Sequence, residues 1–413
     1  MESLRVEKLS LDRTIASVDL TYSKSITNRA LLLQKTIGKE VELSGISPSN
    51  DSLVMQKILQ SNSDVWDVED AGTAFRFLVA YACFSGKSVV IKGTERLHER
   101  PIKPLVDTLQ AIGFQITYLA KPGFAPLQIH GTIPKKFPDK ISIDCSQSSQ
   151  FASGILLVSP MFPHPVELEL SPENPASLPY IETTVAMLNA WGIPARWISK
   201  NCIRTAPKSD LSIHTYVIEK DWSSAGFWYE MVCFHPGIGI HLKGLHLNSI
   251  QADRVTALFF SYLGIETVES ESGLYIHHSG KIGSEPRIFD LKDSPDLFPC
   301  LALSLAALPL NHQDQFSLTG LQTLQYKESN RLEAVRNELQ KLGVRLYETE
   351  PGLWKVSGDL LFGTDPVSSY QDHRITMAFA IAGTKLGLCI EQPETVQKSY
   401  PGFWEELRKV SQQ

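Results

Sequence analysis

The chain has 413 residues, 43% of them hydrophobic and 20% charged, with a formal net charge of −6 at pH 7. That length exceeds one ordinary core and suits two domains of roughly 200 residues. The acidic balance excludes a general nucleic-acid or membrane-surface binder, so any anion-binding site must be a local gathering of cations. The opening residues, Met1-Glu2-Ser3-Leu4-Arg5-Val6, lack the apolar core of a signal peptide, and no apolar run reaches the length of a membrane span, which points to a cytoplasmic protein. Six cysteines (Cys83, Cys145, Cys202, Cys233, Cys300 and Cys389) occur singly without C-x-x-C spacing and read as reduced core residues. His277 and His278, adjacent on a strand, would point to opposite faces, so no metal site is expected there.

In chain order, the first cluster is Ser23-Lys24-Ser25-Ile26-Thr27-Asn28-Arg29, running into Ala30-Leu31-Leu32-Leu33. Hydroxyls ahead of an apolar run predict a capped helix on which Ser25, Asn28 and Arg29 share a face. Free N–H groups, the positive end of the helix dipole and the charges of Lys24 and Arg29 suit that face to a phosphate. Asp70-Ala71-Gly72-Thr73-Ala74-Phe75-Arg76 predicts a second helix start whose glycine lets a ligand approach the backbone. Glu99-Arg100-Pro101-Ile102 sets an arginine just ahead of an expected proline-started helix. Ser146-Gln147-Ser148-Ser149-Gln150 places hydroxyls and amides before the apolar run 151–157. Residues 213–218 read as a strand, and the longest apolar run, 301–310, is of core-helix size. Lys327-Glu328-Ser329-Asn330-Arg331 is expected to put Lys327 and Arg331 one helical turn apart, Asp372-His373-Arg374 opens another helix, and Lys398 follows in a polar stretch. Any one of these could be a solvated helix cap; together they read as one anion-binding site.

A longer repeat runs beneath the clusters: an amphipathic helix, a closing glycine and a short β-branched or aromatic strand. It recurs at Gly113, Gly192, Gly264 and Gly343, spaced 79, 72 and 79 residues apart, with a degenerate copy expected near Ser61-Asn62-Ser63. That spacing suits compact α/β modules in two groups rather than a solenoid. Asp19-Leu20-Thr21-Tyr22 and Glu219-Lys220-Asp221 are the two candidate crossings between the groups.

Taken in order, the clusters resemble the signatures of the enolpyruvyl transferase family, in its shikimate branch, the 5-enolpyruvylshikimate-3-phosphate synthases. The resemblance rests on Ser23-Lys24-Ser25 with Asn28-Arg29-Ala30-Leu31, Ala71-Gly72-Thr73-Ala74 with Arg76, Glu99-Arg100-Pro101, Ser148-Ser149-Gln150, Ser177 with Pro179-Tyr180, Ser294-Pro295-Asp296, Lys327-Glu328-Ser329 with Arg331, and Asp372-His373-Arg374. It implies an α/β fold of two similar lobes, 1–21 with 220–413 and 22–219. Each lobe would hold three βαβαββ-type units in an inside-out α/β barrel, with the active site in the cleft between lobes. It also implies a cytoplasmic monomer using neither metal nor cofactor. The reaction would move the enolpyruvyl group of phosphoenolpyruvate to the 5-hydroxyl of shikimate 3-phosphate and release phosphate, on the route to chorismate and the aromatic amino acids.

Carried over position by position, the resemblance gives shikimate 3-phosphate to Ser25, Arg29, Ser148, Ser149, Gln150, Ser177, Tyr180, Asp296 and Lys327. It gives phosphoenolpyruvate to Lys24, Gly72, Arg100, Gln150, Arg331, Arg374 and Lys398. Arginine forks match carboxylate and phosphate oxygens, whereas hydroxyls and a tyrosine suit a sugar-like ring. Asp296 and Glu328 are the expected acid and base, in an order left open, with Lys24 assisting. A UDP-N-acetylglucosamine enolpyruvyl transferase is the nearest enzyme alternative, but the reactive cysteine of that branch is missing from residues 94–104. A phosphate-ligand binding protein with weakened catalysis is the other.

Some positions depart from the family pattern. Asp70 stands where asparagine is usual, and Thr21-Tyr22 replaces Pro-Gly. Leu178 and Gln325 replace cations, and Thr323 and Asn330 are also atypical, an expected thinning of the support around Lys327-Glu328. Gly72 keeps the small residue that by resemblance implies sensitivity to glyphosate, an inference weakened by Asp70 and Phe77.

Overall fold

All four repeat glycines close a helix in the left-handed region, at φ 114°, 78°, 88° and 82° for Gly113, Gly192, Gly264 and Gly343. Each turns the chain from a helix (Lys103–Ile112, Leu178–Ala190, Thr256–Tyr262, Arg331–Lys341) into a strand (Ile116–Tyr118, Ala195–Ser199, Ile265–Ser270, Arg345–Glu350). The degenerate copy behaves differently: helix Asn50–Gln60 ends at Ser61 in extended backbone before strand Val65–Asp67. The structure, a computed structural model, describes residues 3–9, 14–207, 213–362 and 365–412. It divides into a unit of Met1–Ser23 with Glu219–Gln413 and a unit of Lys24–Ile218.

Within Lys24–Ile218, one sheet runs Val65–Asp67, Ser88–Lys92, Leu127–His130, Ile116–Tyr118 and a second runs Lys140–Asp144, Val166–Ser171, Cys202–Thr205, Ala195–Ser199. In each, the first two strands are parallel and the rest antiparallel. The other unit repeats the pattern in Ile15–Val18, Gly239–Lys243, Gly273–His278, Ile265–Ser270 and in Arg287–Asp290, Phe316–Thr319, Leu353–Ser357, Arg345–Glu350. Among the described residues the third sheet of each unit keeps only two strands, joining the beginning of its chain to its end: Glu42–Ser44 with Thr215–Val217, and Ser3–Arg5 with Cys389–Glu391. The two crossings pair with each other: Ser23 N donates to Glu219 O at 2.9 Å, Asp221 N to Thr21 O at 2.9 Å, and the Lys220 ammonium lies 3.9 Å from the Tyr22 ring centre.

A parallel pair needs a crossover helix, and Gly72–Phe84, Gln150–Leu157 and Phe298–Ala306 supply it. These helices are buried almost all round, so their sequences read as apolar runs rather than stripes. Their first turns follow the carboxyl ends of Val65–Asp67, Lys140–Asp144 and Arg287–Asp290, the end of a parallel strand where ligands bind in α/β sheets. Gly72, Ser149, Gln150 and Asp296 all stand there. Four of the six cysteines are buried and Cys233 and Cys389 are half-buried; all are free thiols.

One core residue breaks the apolar pattern. Glu230, on helix Trp222–Phe234, is fully buried, and neither carboxylate oxygen has a hydrogen-bond partner among the described residues. Burial holds its carboxyl well above the ordinary range, so the fold keeps the proton to a higher pH than the unfolded chain does. The unfolded chain releases that proton near the ordinary carboxylate value, so stability falls as pH rises above about 4.3. Glu230→Gln is therefore expected to unfold at a higher temperature than the parent at pH 8, with a smaller gap at pH 5. Thermal unfolding across that range checks it, and a pH-independent gap would contradict it.

Candidate active site

In the unit containing both termini, three loops converge on Arg331. Asp296 lies in a 3-10 turn, Pro295–Leu297, leading into Phe298–Ala306; Arg331 is the first residue of its helix; Asp372 caps helix His373–Leu386. The Arg331 side chain has no solvent exposure. It donates from Nη1 to Asp296 Oδ1 at 2.8 Å, from Nη2 to Glu328 Oε2 at 2.8 Å, and from Nε to Asp372 Oδ2 at 2.9 Å. Nη2 also reaches Asp372 Oδ1 at 3.2 Å, making that pair bidentate. Arg374 Nη2 donates to Asp296 Oδ2 at 2.7 Å, and Lys327 Nζ stands 3.4 Å from Asp296 Oδ1. Lys398 is buried at the end of the 3-10 turn Pro393–Lys398, which packs on helix His373–Leu386.

One expectation is corrected here. Lys327 and Arg331 do not share a helical turn. Lys327 is extended, at φ −80° and ψ −165°, after the 3-10 helix Gln322–Tyr326, and the helix begins only at Arg331 because the Asn330 side chain accepts from Glu333 N as its cap. The two cations meet through Asp296 instead. Of the three residues expected to thin the support, Asn330 and Gln325 are exposed and Thr323 is half-buried, its hydroxyl without a hydrogen-bond partner among the described residues; Glu328 and Asp296 are braced by Arg331, itself held by Asp372.

The charges shape one another. Burial alone would raise the Asp296 carboxyl, but Arg374, Lys327 and Arg331 outweigh it and hold the group well below the usual carboxylate range. Burial pushes the Lys327 ammonium down against the pull of Asp296, with Arg331 adding to the fall. For Arg331, Asp372, Asp296 and Glu328 overcome burial and secure the charge. Sequence reasoning missed two participants. Asp253, buried and bonded by Ser223 Oγ, has its carboxyl pushed up to about 6 by burial first and by Asp296 second, against Arg374. No basic or hydroxyl cluster flagged it. Asp372 was visible in the Asp372-His373-Arg374 cluster, but its clamp on Arg331 is a tertiary contact; Ser329 Oγ also donates to Asp372 Oδ2 at 3.1 Å.

In Lys24–Ile218, Lys24 opens helix Lys24–Ile37 and pairs with Asp51 Oδ2 at 3.1 Å. Gly72 opens its crossover helix with the Arg100 guanidinium laid directly against it: a Cβ on Gly72 would meet Arg100 Nη1 at 2.2 Å and Cζ at 2.5 Å. A cation thus sits at a helix N-terminus. Arg76 braces this corner, donating to Gly72 O at 3.0 Å and to Pro101 O at 2.9 Å. The helix after Arg100 begins at Lys103 with Pro104 in its first turn, not at Pro101, because Ile102 lies outside the helical region at φ −136°, ψ −7°, with its N–H on Gly123 O at 3.0 Å.

Gln150 Nε2 donates to Thr73 Oγ1 at 3.0 Å, tying the starts of two crossover helices together. Ser148 Oγ accepts from Gln150 N at 3.2 Å, whereas Ser149 and Ser177 occupy cap positions without side-chain cap bonds. Ser177 is held at φ 59°, ψ 35°, strain of the kind stored at ligand sites. Ser25 is half-buried, and its carbonyl and that of Tyr180 accept from Arg29.

The chain matches the model of the EPSP synthase (3-phosphoshikimate 1-carboxyvinyltransferase) family over residues 54–407. A 3-phosphoshikimate 1-carboxyvinyltransferase of Bacteroides fragilis is 36% identical over 398 residues, covering 96% of this chain and 95% of that protein. One from Methanospirillum hungatei is 30% identical over 419 residues, covering 94% of each. An EPSP synthase structure from Acinetobacter baumannii superposes with a TM-score of 0.73 at 21% identity, covering 99% of this chain and 97% of that one, a likeness of fold.

Proposed function

The chain belongs to the EPSP synthase family, and on that premise we propose that the Arg331 network carries its proton transfers while the hydroxyl-rich helix starts of Lys24–Ile218 hold its sugar-like substrate. The reaction joins phosphoenolpyruvate to the 5-hydroxyl of shikimate 3-phosphate and releases phosphate. The hydroxyl loses its proton as its oxygen attacks C2 of phosphoenolpyruvate, and the methylene carbon gains one. The methyl group so formed then gives back a proton as phosphate departs, restoring the double bond.

Asp296, held ionised, is the base toward the hydroxyl. Its low proton affinity suits it poorly while three cations face it. Anionic substrates drawn to Lys327 and Arg374 offset those charges and raise that affinity, so binding readies the base. Glu328 serves the methylene carbon, with Lys24 assisting and steadying developing charge. Ser25, Arg29, Ser148, Ser149, Ser177, Tyr180 and Lys327 hold shikimate 3-phosphate. Lys24, Gly72, Arg100, Arg331, Arg374 and Lys398 hold phosphoenolpyruvate, Gln150 reaches both, and Arg331, bonded to three carboxylates, also aims Asp296 and Glu328. The observation that carries this reading is the pair of candidate acids bonded to one buried arginine.

Phosphate release from purified protein given both substrates, with each omitted in turn, tests it. Release only with both is expected; tight binding of shikimate 3-phosphate without release would replace the enzyme by a binding protein. Gly72→Ala is expected to displace the Arg100 guanidinium and raise KM for phosphoenolpyruvate about tenfold or more, the weight of one charge-assisted hydrogen bond, with a smaller change for shikimate 3-phosphate. Steady-state kinetics with each substrate varied check it, and equal shifts in both would contradict it.

A further inference from the structure

We infer that Thr184 and Ser153 are positioning residues that aim the Arg29 guanidinium at an anionic group of shikimate 3-phosphate, an inference that rests on the proposed assignment of Arg29 to that substrate. Arg29 lies on helix Lys24–Ile37, Ser153 on Gln150–Leu157 and Thr184 on Leu178–Ala190, so three helices meet at one cation. Arg29 is 2% exposed, and Thr184 and Ser153 are fully buried.

Arg29 donates from Nε to Thr184 Oγ1 at 2.8 Å, from Nη1 to Ser25 O at 2.8 Å, and from Nη2 to Tyr180 O at 3.1 Å and Ser153 Oγ at 3.4 Å. A guanidinium has five N–H groups, so these bonds account for all but one, on Nη1. Every partner is a neutral oxygen, unlike the carboxylates around Arg331 and Arg374. A buried cation without a counter-ion is costly, and burial brings the Arg29 pKa down to about 10. An anionic group of the substrate, carboxylate or phosphate, supplies the missing counter-charge, and the remaining Nη1–H is the donor left for it.

The Thr184 hydroxyl has a single proton, which goes to Tyr180 O at 3.0 Å or to Ser153 Oγ at 3.1 Å. Its lone pairs are therefore what hold Nε–H. That group lies at the root of the fork, so the bond sets the rotation of the guanidinium plane. Ser153 holds the far edge more loosely.

Thr184→Val removes the oxygen and keeps the branched shape. Calorimetric titration with shikimate 3-phosphate alone is expected to show Kd raised about tenfold, with a smaller rise for Ser153→Ala. KM for phosphoenolpyruvate and kcat at saturation should stay near the parent's, and Thr184→Ser should restore the parent Kd. Ser153→Ala decides the matter if Thr184→Val does not fold. Unchanged Kd in the folded variants, no rescue by serine, or a fall in kcat and in unfolding temperature without a selective effect on shikimate 3-phosphate would each overturn the positioning role. A parent protein that binds no shikimate 3-phosphate would instead overturn the assignment beneath it.

Discussion

Replacing Glu328 by glutamine is expected to cut phosphate release by about 10²–10⁴-fold, the usual weight of a positioned acid or base. Its oxygen accepts from Arg331 Nη2 at 2.8 Å, and a glutamine amide oxygen can keep that bond, so the network's geometry survives while the group can no longer carry a proton. Dissociation constants for both substrates should therefore stay close to the parent's. Titration of each substrate beside steady-state turnover separates the two effects. Near-parental turnover would remove Glu328 from the chemistry.

Arg331→Met should cost about 3–5 kcal/mol of stability, because it strips a fully buried shared partner from buried Asp372 and half-buried Asp296 and Glu328 rather than deleting a surface pair. Asp296, Glu328 and Asp372 would face one another without the cation that now bonds all three. The pH dependence has a definite sign. In the parent, Asp296 has a depressed pKa, so its stabilising effect is present above the ordinary aspartate range and is lost as pH falls through the folded value. The variant has less of that stabilisation to lose, so its deficit should shrink in acid. Urea unfolding at pH 8 and at about pH 3, on either side of the ordinary aspartate value, measures both, and a parental midpoint at pH 8 would show that Arg331 is not the hub.

Local signals in the sequence were read well where one element decides the outcome. The helix, glycine and strand repeat needs only a left-handed residue after an amphipathic helix, and its four complete copies have that geometry. The hydroxyl and glycine clusters before apolar runs likewise mark the starts of Gly72–Phe84 and Gln150–Leu157. Reading failed where a distant contact decides. Pro101 looks like a helix start, but Ile102 stands outside the helical region with its N–H on Gly123 O, and Lys327 looks helical until Asn330 caps the helix one residue before Arg331. The network itself joins Asp296 to Arg374 across 78 residues and Arg331 to Asp372 across 41, and no spacing rule reaches that far. Glu230 did leave a trace, a lone acid in Phe227-Trp228-Tyr229-Glu230-Met231, which marks a buried carboxyl only once the helix is known to be covered on every side.

The central claim is that protons pass to and from the methylene carbon of phosphoenolpyruvate during turnover. Running the reaction in heavy water and examining that carbon in the product by NMR tests it most directly. Deuterium should appear there, because a transient methyl group gains one solvent hydron and loses one of three. A product carrying only the original protium at that carbon would contradict the account.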